Sequence, residues 1–288
     1  MKDIPTSPRI VQIKRNRRVG RLRLFILFTI LFISIIIALS YFSSNSKITI
    51  NKIVITGNSI IDKEDLESSI QNKLNGKYFR LFARSNFLIY PQSKIYKDLI
   101  NEFPRIENLN IKRESLNTLK VSIIERAGSY LYCGASLPEN KEDIGENCYF
   151  VNNDGYIFDK APYFSGDIYF KYYTKIKDSN SSPQGKQMLN PEVFHKLMRF
   201  IDGITALSFK PLYLVIGDDG VYSLYLHSIN GNLEPKIIFK SDNDLSIILD
   251  NLSTAMNKRE FANEINSKYD TLLYIDLRFK NKVLYKFQ

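Results

Sequence analysis

The most prominent feature in the pattern of apolar and polar positions is an unbroken run. From Leu24 to Phe42 the chain reads LFILFTILFISIIIALSYF, nineteen residues without a charge. As a helix rising ~1.5 Å per residue the run reaches ~28 Å, about the hydrocarbon thickness of a bilayer, and its backbone hydrogen bonds are satisfied within the segment. It predicts a membrane span. A buried core helix and a cleaved signal peptide share this pattern, and Ala38 and Ser40 form a small-x-small pair of the kind signal peptidases read. The twenty-three residues before the run and its length, beyond the ~7 to 15 residues of a signal core, favour a retained anchor.

Past the span the periods shorten. Ile48, Ile50, Ile53 and Ile55 predict a strand ended by a turn at Gly57-Asn58. A helix follows from Asp62, the expected N-cap, with Ile61 placed to staple onto Leu66. Leu66, Ile70 and Leu74 recur at a spacing of four, and Gly76 stops the run. After a less regular segment, with a long link from Ala83 to Gln92, Ile95, Leu99 and Phe103 repeat the spacing up to Pro104. Strands are expected over Ile106 to Lys112 and Leu119 to Glu125, joined around 115–118. The order is strand, helix, helix, strand, strand.

From Gly128 the pattern is strand-rich. Tyr149-Phe150-Val151 and Tyr156-Ile157-Phe158 flank a turn at Asn153-Asp154-Gly155, and a second hairpin turns at Asp218-Asp219-Gly220, followed by KIIFK. One helix is expected from Asn190 with Val193, Leu197 and Ile201 in register, another with Leu245, Ile248, Leu249, Leu252, Ala255 and Met256 on one face. Ser, Pro and Gly crowd 178–185 into an exposed loop, and LLYIDLRF and KVLYKFQ end the chain as strands joined by Lys280-Asn281. The expected class is α+β. Its parts are a tail over 1–23, a transmembrane helix over 24–42, a small domain over 48–126 and a mixed β domain with covering helices over 127–288.

Charge changes the picture in one respect. The net charge is +10, but residues 1–23 hold eight Lys or Arg and one Asp, a net of +7 that leaves only +3 for the other 265 residues. Lys14, Arg15, Arg17, Arg18, Arg21 and Arg23 abut the span, whereas SSNSK beyond it carries one charge. This asymmetry puts the N-terminus in the cytoplasm and the rest outside. The tail, with Pro5 and Pro8 and no apolar period, is expected to be disordered, and it lacks the aromatic interleaving that nucleic-acid binding would use. Cys133 and Cys148 fall on the outer side, where a disulfide persists, and a bond between them is expected over two free thiols.

No reaction centre has the required spacing. His195 and His227 are far apart in sequence, Asp218-Asp219 reads as a turn, and Asp242-Asn243-Asp244 lacks the glycine and later glutamate of a calcium loop. Catalytic, cofactor and metal sites are expected to be absent.

The chain carries the words KIVITGNSII, NGKYFRLF, EFPRIENLNIKRESLNTLKVSIIERAG and CYFVNNDGYIF. The element order matches a POTRA domain, and these words resemble those of the FtsQ/DivIB family of bacterial cell-division proteins. Val54, Gly57, Asn58, Pro104, Arg113, Thr118, Leu119, Val121, Glu125 and Arg126 occupy the family's places, with V-x-x-G-N one residue looser than usual. The resemblance implies a non-catalytic, single-pass protein of the cell membrane at the division septum. Its partners would be the bitopic division proteins FtsB/DivIC and FtsL, and through them it would influence septal peptidoglycan synthesis. By the same resemblance Asp276, Leu277, Arg278 and Phe279 match the docking motif for FtsB/DivIC. The last strand, with Lys282, Leu284 and Tyr285, would offer a free edge. Leu277 and Leu284 as core, with Lys280, Lys282 and Lys286 only guarding an edge, is the competing view. An envelope chaperone or secretion component with a POTRA domain is the alternative function. No run of barrel strands follows, which favours the division role.

Overall fold

A computed structural model describes residues 8–140, 143–164, 166–176, 182–228, 234–279 and 281–288, with side chains from residue 17. Parts of the expected loop at 178–185 and of the Lys280-Asn281 turn lie outside the described residues. Helix α1 (Pro8–Ser43) contains the whole apolar run and is long and apolar enough to cross a membrane. It also takes in 8–23, so the disorder expected of the tail does not extend to them. Arg, Lys, Gln and Leu give up little rotamer freedom in a helix, and a helix already nucleated by the apolar run propagates through them.

The chain divides into two compact units, Met1–Glu125 and Arg126–Gln288. In the first, β1 (Lys52–Thr56) leads through α2 (Lys63–Leu74), a short hairpin β2 (Lys77–Tyr78) and β3 (Phe82–Ala83), and α3 (Gln92–Glu102) to β4 (Ile106–Arg113) and β5 (Thr118–Glu125). The sheet order is β1-β5-β4, with β1 parallel and β4 antiparallel to β5. A parallel pair needs a crossover, and the helices supply it. Leu66, Ile70, Leu74, Ile95 and Leu99 pack on Leu119, Val121 and Ile123 in one core.

Two local details hold this unit's first turn. Gly57 has φ +87°, and a Cβ there would sit 2.1 Å from the carbonyl oxygen of Ile123, so the turn admits glycine alone. The Glu125 carboxylate accepts the backbone N–H groups of Ser59 at 2.6 Å, Ile60 at 3.0 Å and Ile61 at 3.1 Å. Partial burial works to raise its pKa, but these three bonds and the Arg105 charge outweigh it and hold the group below its ordinary value. Asp62 takes the N-cap position, yet its side chain makes no capping hydrogen bond. The distant Glu125, rather than the expected local cap, satisfies the free N–H groups ahead of the helix.

In the second unit, one ten-stranded mixed sheet runs in the order β10-β8-β7-β6-β9-β11-β12-β13-β14-β15. Its strands are β6 (Tyr130–Tyr132), β7 (Tyr149–Val151), β8 (Tyr156–Lys160), β9 (Lys171–Thr174), β10 (Lys186–Gln187), β11 (Pro211–Ile216), β12 (Val221–Leu226), β13 (Lys236–Lys240), β14 (Leu272–Asp276) and β15 (Leu284–Phe287). Helices α4 (Pro191–Ala206), α5 (Leu245–Met256) and α6 (Arg259–Ser267) accompany it. Asn190 caps α4, accepting from the Glu192 N–H at 2.9 Å. The buried face of α4 carries Phe194, Leu197, Phe200, Ile201 and Ile204, and Val193 is exposed. The expected register through Val193 is corrected by the larger Phe194, whose burial removes more apolar surface from water. Helix α6 is not among the expected elements; it is short and follows α5 after two residues.

Candidate functional site

The C-terminal edge of this sheet gathers most of the residues the sequence singles out. Strand β14 lies parallel to β13 and antiparallel to β15, with Ile275 opposite Tyr285 and Asp276 opposite Leu284. Among the described residues β15 pairs with β14 alone, so its outer row of N–H and C=O groups has no strand partner. The chain end is tied back where the Gln288 N–H donates to the Thr271 carbonyl at 2.8 Å.

The motif D-L-R-F is split by burial. Leu277 is 1% exposed and part of the core, and its N–H donates to the Ile238 carbonyl at 2.8 Å. Asp276 is also buried; its Oδ1 accepts the Arg278 N–H at 3.0 Å and its Oδ2 accepts Arg278 Nη2 at 2.6 Å. Burial pushes the Asp276 carboxyl up, and the Arg278 bonds and charge, with Lys240, overcome it and keep the group below its ordinary value. These two residues therefore shape the turn from within. Phe279, 51% exposed, and Leu284, 45% exposed, face solvent. Lys282 and Tyr285 are exposed as well, so the expected set resolves into a buried support and a surface of Phe279, Lys282, Leu284 and Tyr285. Leu284 does not join the core.

Sequence reasoning missed the residues of α6 that steady this edge. Phe261 meets the Tyr285 ring edge-on at 5.2 Å between centroids, and Glu264 Oε2 accepts the Tyr285 hydroxyl at 2.7 Å. Lys268 reaches Glu264 Oε1 at 3.2 Å and lies 5.4 Å from the Phe287 ring centre. The bonds from Tyr285 and Lys268 hold the Glu264 carboxyl low, and the same bond raises the Tyr285 phenol. The signal was present: Phe261, Ile265 and Tyr269 recur at a spacing of four.

Elsewhere, Cys133, just past β6, and Cys148, just before β7, are joined by a disulfide with 4.2 Å between Cα atoms. The bond closes the loop between two paired strands. His195 lies 3.1 Å from Asp154 and His227 3.5 Å from Asp167, both pairs at the surface. Among the described residues no group of three or more His, Cys, Asp or Glu side chains could hold a metal ion.

No family model matches the chain. It is 23% identical over 242 residues to the cell division protein DivIB of Clostridium acetobutylicum, a stretch that covers 83% of each chain. A likeness that long, in a chain with the motif order of residues 52–126 and 148–158, identifies the chain as similar to the FtsQ/DivIB cell-division proteins.

Proposed function

We propose that the protein is a non-catalytic, single-pass component of the cell-division machinery. Helix α1 crosses the cytoplasmic membrane, the basic residues before it stay inside, and the chain from about residue 43 onward lies outside. Residues 48–126 form a POTRA domain, and 127–288 form a β domain that docks FtsB/DivIC-like and, with it, FtsL-like bitopic proteins at the septum. Through these partners it acts on septal peptidoglycan synthesis. The observation that carries the reading is the open edge of β15, flanked by the exposed Phe279, Leu284 and Tyr285. An extended segment adds there as an eleventh strand, its main chain pairing with β15 and its side chains reading the flanking apolar groups. Lys282 and Lys286 keep that edge from pairing with copies of itself.

Depletion in the source organism tests the reading. Filaments that replicate and segregate chromosomes without septating are the expected outcome. Normal cell length would reject a division role and favour an envelope chaperone.

A further inference from the structure

The end of α1 is not free of the unit that follows it. The Ser40 hydroxyl donates to the Leu81 carbonyl at 2.8 Å, Ser43 Oγ accepts the Ala83 N–H at 3.1 Å, and the Asn86 amide donates to the Ser43 carbonyl at 3.1 Å. Ser43 and Asn86 are buried in this joint. On its other side the strip 85–87 pairs with 48–50, through Ile50 N–H to the Ser85 carbonyl at 2.8 Å and Phe87 N–H to the Ile48 carbonyl at 3.0 Å. The β2–β3 hairpin is therefore fixed to the last turn of α1.

That joint sets the depth of the hairpin's tip. Ser40 lies within the apolar run, two residues before its end at Phe42. Leu81 is at the level of Ser40, and Phe79, two residues away, can be no more than ~7 Å from Leu81. The headgroup layer on each side of a bilayer is itself ~5 to 7 Å deep. If α1 spans, Phe79 has to lie in or against that layer.

The tip has the composition such a position calls for. Phe79 is 92% exposed, Leu81 in the same hairpin is exposed, and Leu88 and Ile89 are exposed in the segment that follows it. Lys77 and Arg80 flank the ring with positive charge, and Arg84 lies over the Tyr78 ring at 5.5 Å. Phe79 and Arg80 both hold positive φ, 49° and 62°, where bulky side chains are seldom found. That backbone costs free energy and presents the aromatic ring outward instead of folding it onto the unit.

We propose that this hairpin seats in the outer interfacial layer of the membrane, Phe79 among the upper acyl chains and Lys77 and Arg80 against anionic headgroups. The inference rests on the reading of α1 as a span. It gives the first outer unit a second, side-on contact with lipid, which fixes its tilt where a single helix would leave it free to swivel.

The chain contains no tryptophan, so single substitutions are clean fluorescent reporters. Phe79→Trp, Phe32→Trp in the middle of the run and Tyr163→Trp on the second unit are each made in the full chain. Each is reconstituted in vesicles of phosphatidylethanolamine and phosphatidylglycerol, with and without brominated lipids, the bromines lying near the top of the acyl chains for Phe79→Trp and Tyr163→Trp and near the chain ends for Phe32→Trp. Phe32→Trp and Phe79→Trp should both emit to the blue and lose most of their intensity to the brominated lipid, and Tyr163→Trp should not. Quenching at Phe32 with water-like, unquenched emission at Phe79, or with quenching at Phe79 no greater than at Tyr163, overturns the hairpin's seat while leaving the span intact. An unquenched Phe32→Trp overturns the span, and the hairpin's seat with it.

Discussion

The hydroxyl of Tyr285 donates to the Glu264 carboxylate at 2.7 Å, tying the last strand to the helix before it. The ring is thereby held in place at the open edge before any partner arrives, and a held aromatic loses little entropy on binding. Tyr285→Ala and Phe279→Ala should each abolish co-purification with a DivIC-like partner. Phe279→Ala should leave thermal unfolding within about 0.5 kcal/mol of the parent, because the ring is half in solvent. Leu277→Ala, by contrast, should cost ~2 to 5 kcal/mol as a core truncation. Retained binding in both surface variants would remove these residues from the docking site.

Acid should weaken the first unit through Glu125. Its folded pKa is held below the unfolded value of ~4.3, so its stabilisation is complete above that value and is lost as pH falls through the folded pKa. Glu125→Gln should destabilise the protein at neutral pH, with the gap to the parent narrowing as the solution is acidified. Urea midpoints of the two proteins across the acid range measure this. A gap that does not change with pH would mean that the three N–H bonds gain nothing from the charge.

Much of this first unit was legible in the sequence, because a period of four and a period of two survive over helices and strands long enough to display them. Leu66, Ile70 and Leu74 are buried as their spacing implies, and so are Leu119, Val121 and Ile123. The β2–β3 hairpin was not legible. Strands of two residues are too short to carry a period, and Phe79-Arg80 is not a pair that announces a turn. At the C-terminal edge the two strands were legible, but not which residues between them face inward. D-L-R-F alternates only if it continues a strand, and β14 ends at Asp276, so neither period assigns Leu277 inward and Phe279 outward. The role of Glu125 was hidden for another reason: a carboxylate that caps a turn more than sixty residues away has no local signature.

Gly57→Ala should be among the most damaging single changes in the first unit. Alanine pays for positive φ, and its Cβ would have to displace the Ile123 carbonyl, a backbone atom of β5. A loss of ~2 kcal/mol or more is expected, beyond the ordinary effect of a surface substitution. Thermal unfolding of the variant checks it, and an unchanged midpoint would show that the turn can rearrange.

The disulfide should stabilise mainly by restricting the unfolded chain. Cys133 and Cys148 are 15 apart in sequence, and closing a loop of that size is worth roughly 3 kcal/mol in the chain-entropy model. Reduction, or the double change to serine, should lower the urea midpoint by a corresponding amount with the sheet intact by circular dichroism. Thiol labelling after unfolding without reductant should find no reactive cysteine. Two reactive thiols would reject the bond in the protein as isolated.

Arg278 separates support from contact at the proposed docking edge. Its guanidinium is the main partner of the buried Asp276 carboxylate, with Nε at 2.9 Å from Oδ1 and Nη2 at 2.6 Å from Oδ2. Arg278→Ala leaves that carboxylate with the backbone N–H of residue 278 and the more distant Lys240 charge, and should cost ~1 to 3 kcal/mol at neutral pH. The sign of its pH dependence follows. Asp276 titrates low in the parent because Arg278 favours its charged form, so the parent's advantage is complete above the unfolded value of ~3.9 and disappears as the carboxyl is protonated. The destabilisation of Arg278→Ala should therefore shrink in acid, measured by urea unfolding of both proteins. Binding should weaken in step with stability at neutral pH, because the turn that carries Phe279 loosens. Loss of binding with stability unchanged would instead make Arg278 a direct contact, its charge meeting an acidic group on the incoming strand.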